Sequence, residues 1–425
     1  MLRNGLAWIV AGAICISPAW ADTAKTEGGL EIISSDGRFS AALGGRIHFD
    51  TYLFNDDIDD TVSTTEFRRT RITLSGKVYN WKYKLEQDFA SGDTRDGFRD
   101  VYLAYDFWGG SISIGQFKPY RSMEELTSSN NITMLERPFT SATGIFDRRQ
   151  FQQGIGWRNH WDCYTAGIVA FNLRNAGELR NEGVGAAGRF TWAPVDVALE
   201  TIHLGVSYSY EDAGRQSPPL EADAPYAGRR GPRQLMALTP GDRIFFFGDF
   251  GDEEFFLGDA GGRVNVGGLE LAATRGPLYA QAEYTYGNYD GDFFLSEQSF
   301  EDFFGAPPTF GCDPEFGCFI GDQTVRAWYV MGSWIITGEH KPYDARKGVF
   351  KTAKPNSAWG AWELTARYEK ISNDDIPDLE ADSIILGVNF YANSRVRFMF
   401  NLRFGHDDFT DNGTDQLGVR AQVNW

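Results

Sequence analysis

Between Trp81 and Phe89 the chain changes polarity at almost every step: Trp81, Tyr83, Leu85 and Phe89 share one parity, and Lys82, Lys84, Glu86 and Asp88 share the other. A period of two marks an extended strand, whose successive side chains leave opposite faces, so this segment has one oily and one charged side. The pattern returns at Val101, Leu103, Tyr105 and Phe107 against Asp100, Tyr102, Ala104 and Asp106. It returns again at the end, with Leu417, Val419, Ala421, Val423 and Trp425 against Arg420, Gln422 and Asn424. Sixteen strand-like segments follow from this reading, near residues 37–53, 65–79, 81–92, 98–107, 110–118, 152–158, 163–173, 185–193, 202–211, 264–274, 278–288, 324–336, 357–371, 381–391, 394–405 and 414–425. Each is long enough to cross a bilayer at a tilt, and an even number permits closure. Asn80, Trp108-Gly-Gly110 and Asn393 mark tight turns, whereas 119–150, 212–262 and 289–323 are long connections. Short turns on one rim and long loops on the other describe an all-β, transmembrane antiparallel barrel. A soluble sandwich would turn a polar face outward and has no need of 15% aromatic residues.

The N-terminus supplies the export that such a barrel requires. Arg3 precedes an apolar run from Gly5 to Ile16 and a small-residue site, Ala19-Trp20-Ala21, which reads as a signal peptide cut after Ala21. Cys15 is not a lipoprotein site, because Ile14 stands where a small residue is required. The expected organisation is therefore 1–21 signal peptide, 22–36 periplasmic segment and 37–425 barrel. Cleavage removes one arginine and no acid from 40 basic and 58 acidic residues, leaving about −19, which makes nucleic acid an improbable partner. No charge-free apolar stretch of about 20 residues follows the signal, so no spanning helix is expected. Cys312 and Cys318 bracket a short turn in a chain bound for an oxidising compartment and read as a loop-pinning disulfide. The rival is a metal pair, but two sulfurs without a nearby histidine make a weak ligand set. Cys163, in an apolar strand pattern, reads as buried and inert.

Several blocks, taken in order, resemble the phosphate-selective porins O and P: Gly28-Gly29-Leu-Glu-Ile, Leu43-Gly-Gly-Arg-Ile-His, Phe67-Arg-Arg-Thr-Arg, Trp81-Lys-Tyr-Lys-Leu, Gly115-Gln-Phe-Lys, Glu124-Glu-Leu-Thr-Ser-Ser, Leu135-Glu-Arg, Gly360-Ala-Trp-Glu-Leu and Leu386-Gly-Val-Asn-Phe-Tyr-Ala-Asn. The resemblance covers most of the mature chain. It implies a homotrimer of sixteen-stranded barrels in the outer membrane, each narrowed by an inward-folded third loop, here about 119–150, and lined by basic side chains that pass small anions such as phosphate or pyrophosphate. It also implies recognition of the terminal Trp425 by the barrel-assembly machinery. Two departures bear on selectivity. Glu125, with Glu124 beside it, stands where such members carry a lysine, and Arg99 stands where they carry an acid.

The residues themselves are compatible with an anion pore. Arg69, Arg71 and Lys77 fall opposite the oily Ile72 and Leu74 and should face the lumen. Arg68 has the wrong parity and turns inward only if the strand is irregular there; the family pattern places both arginines of its block at the pore. Lys118, Arg121, Arg137, Arg148 and Arg149 on or beside the third loop, and Arg229, Arg230 and Arg233 in a later loop, add candidate anion sites. The bland reading is that any of these arginines merely pairs with an acid to hold a loop. Glu124 and Glu125 are candidate constriction acids that would favour a general or cation-preferring porin. A non-conducting structural barrel, its lumen filled by pairs with Glu86, Asp88 and Asp100, is a further alternative. An enzyme of the outer-membrane lipase type needs a serine beside a histidine on the lipid face, and none of His48, His160, His203, His340 and His406 sits in such a motif. No cofactor and no defined metal site is expected. Acidic runs at Asp56-Asp57-Ile-Asp59-Asp60, Gly251-Asp-Glu-Glu254, Asn373-Asp-Asp375 and His406-Asp-Asp408 read as solvated loops, with divalent-cation bridging to lipopolysaccharide as the sharper alternative.

Overall fold

The computed structural model describes residues 23–25, 29–56, 61–91, 97–173, 183–214, 219–240, 261–314 and 317–425. The expected signal peptide and the acidic residues 57–60 and 251–254 lie outside them. Sixteen antiparallel strands close on themselves. They are β1 (Phe39–Asp56), β2 (Thr64–Val78), β3 (Trp81–Asp88), β4 (Phe98–Phe107), β5 (Gly110–Phe117), β6 (Gln152–His160), β7 (Tyr164–Asn172), β8 (Val184–Val197), β9 (Glu200–Ala213), β10 (Gly262–Arg275), β11 (Leu278–Asp290), β12 (Gln323–Ile335), β13 (Ala361–Asn373), β14 (Glu380–Tyr391), β15 (Val396–Asp407) and β16 (Asn412–Asn424). Each corresponds to one segment legible in the sequence.

Closure is made by β16 against β1, with Leu417 opposite Leu53 and Val423 opposite Ile47. At the last rung Trp425 and Gly45 exchange two backbone hydrogen bonds of 3.1 Å. A side chain at Gly45 would collide with the Trp425 ring, so glycine is what lets the terminal aromatic lie across the seam. Just beyond it Leu30–Ile33 pairs with Ser40–Leu43 and continues the ladder that β16 leaves off.

The outer wall is the oily parity. Leu43, Leu53, Ile72, Leu74, Leu103, Ile114, Leu269, Leu386 and Phe400 are all exposed, as lipid-facing residues are. Aromatic pairs across neighbouring strands reinforce it, among them Trp81 with Tyr105 (ring centroids 5.0 Å apart) and Trp362 with Phe390 (4.5 Å). The β4–β5 turn is two residues long with positive φ at both Trp108 and Gly109, the hairpin geometry that follows the twist of its strands.

One rim departs from the expected rule. Connections on the side of the chain ends are short except between β12 and β13, where 336–360 folds back into the barrel and forms a small hairpin, Tyr343–Asp344 with Val349–Phe350. Tyr343, Val349 and Phe350 pack there against Met123, Met134, Tyr279 and Tyr329. From the loop rim, a second hairpin, Glu221–Ala224 with Gln234–Leu238, enters beside the third loop. Its Leu220, Ala222, Met236 and Leu238 join Phe139, Ile145 and Phe146 in an apolar cluster against inward Val264, Val266, Val325 and Ala327. Described loop residues thus fill the half of the lumen along β7–β14, and a cavity among the described residues lies toward β2–β4.

Candidate functional site

The cavity side is governed by a register slip. Down to His48 the pairing of β1 with β2 is regular, with His48 opposite Arg69, but Phe49 then lies opposite Phe67. Arg68 is the extra residue of a β-bulge. A one-residue insertion reverses parity, so Phe67 points outward while Arg68 joins Arg69 and Arg71 on the inside. Three consecutive cations of the Phe-Arg-Arg-Thr-Arg block thereby reach one wall. Lys77, on the same parity, is exposed near the turn rim.

The third loop, 118–151, runs opposite them. It opens with one turn of helix, α1 (Met123–Leu126), capped by Ser122, whose hydroxyl accepts the Glu125 amide at 3.1 Å. Its following stretch is stitched to the far wall by polar side chains that act on backbone. Arg397 donates to the Ile132 carbonyl (3.0 Å), Asn389 to Thr133 (3.0 Å), Arg420 to Leu135 (2.7 Å) and Arg367 to Glu136 (3.0 Å), while Asn401 accepts the Leu135 amide (2.8 Å). Lys341, from the inward segment 336–360, donates to Thr133 (2.6 Å) and pairs with Glu363 (2.7 Å). These cations hold the loop.

Between loop and wall lies a cavity of about 380 Å³. Among the described residues ten arginines line it, Arg68, Arg69, Arg71, Arg99, Arg137, Arg148, Arg229, Arg230, Arg233 and Arg403, with two acids, Glu136 and Asp147, in the lining itself. Further carboxylates stand behind them. Arg71 bonds Asp88 (2.8 Å) and Glu86 (2.9 Å), Arg99 reaches Asp88 (3.4 Å), and Arg403 bonds Glu369 (2.9 Å). Arg229 and Arg230 share Glu66, and Arg233 pairs with Asp223 and Asp147. Two guanidinium groups differ from these. Arg69 meets His48 at 3.4 Å, and among the described residues its nearest carboxylate is that of Glu136 at 4.0 Å and its Nε has no hydrogen-bond partner. Arg137 is held by two carbonyls, of Glu124 (3.0 Å) and Thr127 (2.6 Å). Among the described residues neither charge has a directly bonded acid, and both face the cavity.

Nearer the turn rim, Arg158 lies over the Tyr120 ring (5.5 Å to its centre) and Lys84 bonds Asp100 (2.5 Å). Lys347 of the inward segment shares the field of both. Cationic side chains thus stand on both sides of the third loop, and the line between them is the candidate route.

Not every candidate lies on this route. Arg121 and Arg149 converge on Glu211 in the filled half, where Arg149 bonds it at 2.7 Å and Arg121 stacks 3.6 Å over Phe146. Both are fully buried, and their work is to hold the loop. Lys118 spends its ammonium group on the Glu125 and Thr127 carbonyls that end α1. Glu124 and Glu125 also depart from expectation, because α1 turns their carboxylates away from the cavity. Glu124 accepts from Gln281 on β11 (3.2 Å), and Glu125 accepts the Ala142 amide across the loop (3.0 Å). Conversely, Arg403 has the polar parity of its strand and no further signal in the sequence marks it as cavity lining, while Arg99 has the oily parity of Val101 and Leu103 and reaches the cavity beside the register shift between Leu85 and Gln87. Of the alternatives, Glu86, Asp88 and Asp100 do pair with cations, on one wall only. His48 bonds Asn130, and His203 sits between Tyr343 and Glu270, both inside the barrel. Cys312 and Cys318 form a disulfide that closes the tip of the loop carrying α2 (Glu297–Phe304).

Comparison with known proteins agrees in kind. The profile of a family described as phosphate-selective porin O and P matches residues 42–425. Porin O of Pseudomonas aeruginosa is 28% identical over 431 aligned residues, covering 93% of this chain and 89% of that protein. Among solved structures, an anion-selective porin from Comamonas acidovorans superposes with a TM-score of 0.52 at 12% identity, over 91% of this chain and all of that one. OmpT of Vibrio cholerae in its trimer form gives 0.50 at 11%, over 91% and 99%. The two structural likenesses are likenesses of fold.

Proposed function

The chain belongs to the phosphate-selective porin O and P family, and on that footing we propose that it passes small anions, phosphate among them, through the arginine-lined route beside the third loop. It is an outer-membrane porin, a closed barrel whose oily wall faces lipid. The observation that carries the anion reading is the state of Arg69 and Arg137, two guanidinium groups on the cavity without a bonded carboxylate among the described residues. A guanidinium offers fixed donors that match phosphate oxygens and keeps its charge at every relevant pH. In a narrow wall of low dielectric these charges concentrate the field and raise the local concentration of anions.

Along the route, Arg229, Arg230 and Arg233 gather anions at the loop rim, Arg68, Arg69, Arg71, Arg99 and Arg137 hold them at the waist, and Arg158, Lys84 and Lys347 receive them below. Several shallow stations conduct better than one deep one, because an ion must also leave. The working unit is a homotrimer embedded in outer-membrane lipid and lipopolysaccharide, a reading supported by the family and by the trimer form of a protein of like fold. Assembly starts from Trp425, whose seat across the seam makes the C-terminus part of closure. The test is current through the purified protein in planar bilayers under a KCl gradient, with phosphate titrated in. Anion-directed reversal and block by phosphate support the reading; cation-directed reversal, or no current, rejects it.

A further inference from the structure

We propose that Glu136 is a tethered anion: its carboxylate takes the position on Arg68 and Arg69 that a permeating anion occupies, and competition with it keeps that position shallow. The proposal rests on the anion-conducting reading above and adds the group that sets its affinity.

Glu136 lines the cavity, and Arg68 grips it as a fork, Nε at 2.7 Å and Nη2 at 3.0 Å, the two-point geometry with which a guanidinium binds a phosphate or carboxylate in solution. Arg420 adds a bond at 3.1 Å, and Arg69 stands 4.0 Å away. Arg68 has this one carboxylate within reach among the described residues. Remove the carboxylate and two cations face the cavity with nothing bonded to neutralise them.

A brace for the loop is the competing explanation, and the bond pattern argues against it. The backbone on either side is held without the Glu136 side chain: Asn401 takes the Leu135 amide, Arg420 the Leu135 carbonyl and Arg367 the Glu136 carbonyl. Arg420 is already satisfied by Asp50, through two bonds of 2.7 and 2.6 Å. The backbone here is thus held at three points without the carboxylate, which is positioned on the cavity. Its chemistry matches the cargo, an oxyanion with two oxygens in one plane. A mobile anion gains the Arg68 fork only by displacing a group that cannot diffuse away, so binding weakens while passage is kept fast.

Glu136→Gln tests this by removing the charge and keeping the shape. In planar bilayers the phosphate concentration that halves the chloride current should fall at least about tenfold, a figure discounted for screening from the loss of a unit charge roughly 4 Å from the bound anion. Single-channel current should also saturate at lower KCl. Glu136→Asp, which draws the carboxylate back from the fork, should lie between the two and serves if the glutamine variant does not assemble. An unchanged block in both variants, or a weaker one, overturns the proposal, the latter by showing that Glu136 merely holds the arginines in place. The wild-type control separates the two levels: if wild type is not anion-directed, the parent reading has failed; if it is and the variants match it, only the tethered anion has.

Discussion

Arg420→Ala should loosen the third loop while leaving the barrel closed. Arg420 is wholly buried and carries three duties at once: the Asp50 fork, the Leu135 carbonyl and one oxygen of Glu136. Truncation leaves Asp50 bonded to Tyr52 (2.5 Å) and orphans the Leu135 carbonyl. Breaking a buried pair from one side costs about 3–5 kcal/mol, most of it the desolvated charge left behind. An orphaned carbonyl adds about 1–3 kcal/mol where water cannot reach it. The lumen admits water once the loop shifts, so the carbonyl rehydrates and only the lower end of the charge cost remains, about 3 kcal/mol. With an unfolding entropy of about 2.1 cal/mol/K per residue, that lowers the transition by roughly 3–4 °C for a chain of this size. The ladder of sixteen strands is untouched, so the effect falls on the loop. Heat-modified gel mobility reads the transition, and single-channel recording reads the loop, as larger and noisier open current. Asp50→Asn combined with Arg420→Gln restores a neutral pair and should recover most of the loss in a double-mutant cycle. The reasoning fails if Arg420→Ala shows wild-type noise and stability, or if the double variant is as unstable as the single one.

Other consequences are simpler. Arg121→Gln leaves Glu211 buried with Arg149 alone, so it should destabilise by about 2–4 kcal/mol yet leave ion selectivity unchanged, because Arg121 is off the route; reversal potential and thermal transition measured on one preparation check both halves. Glu125→Gln, and Glu124→Gln to a lesser degree, should make the reversal more anion-directed, because these two carboxylates are the nearest opposing charges on Arg137 although neither lines the cavity; a cation-directed or absent shift would contradict that placement. Burial pushes the Asp223 carboxyl in the loop hairpin from 3.8 up to about 7, with Asp147 and Glu221 adding to the rise and Arg233 opposing it. Between those two values the folded protein holds a proton that the unfolded chain releases, so this group's contribution to stability falls as pH rises through the window. On the acid side Arg233 loses a counter-charge, and anion selectivity should increase from pH 8 to pH 5.5; an opposite or flat profile in the reversal potential refutes that.

The wall was legible in the sequence because its cause is local. Alternation such as that of Trp81 to Phe89 fixes a strand with one oily and one polar face, and repeated sixteen times with short turns and long loops it describes a wall between lipid and lumen. The lumen was less legible because its causes are distant in the chain. Whether Arg68 faces inward depends on a slip against His48 and Phe49 on the preceding strand, and its parity alone argues the reverse. Arg121, Arg149 and Lys118 lie in a segment without a period, so their chemistry was visible and their direction was not. Direction is fixed by Glu211 on β9 and by the carbonyls that end α1. Inward Val264, Val266, Val325 and Ala327 break the polar rule for a lumen because loop side chains from 219–240 and the third loop lie on them. The fold-back of 336–360 had no signal beyond its length. Its anchors lie on other strands: Arg189 of β8 donates to the Gly348 carbonyl (2.7 Å), and Glu363 of β13 pairs with Lys341 of the segment itself.

The most direct measurement is the reversal potential of single channels in a KCl gradient, wild type beside Arg69→Gln/Arg137→Gln. The account requires anion-directed reversal in wild type, a marked loss of it in the double variant, and a parallel loss of phosphate block, with conductance still present. Cation-directed reversal in wild type, or selectivity that survives removal of both guanidinium groups, contradicts it.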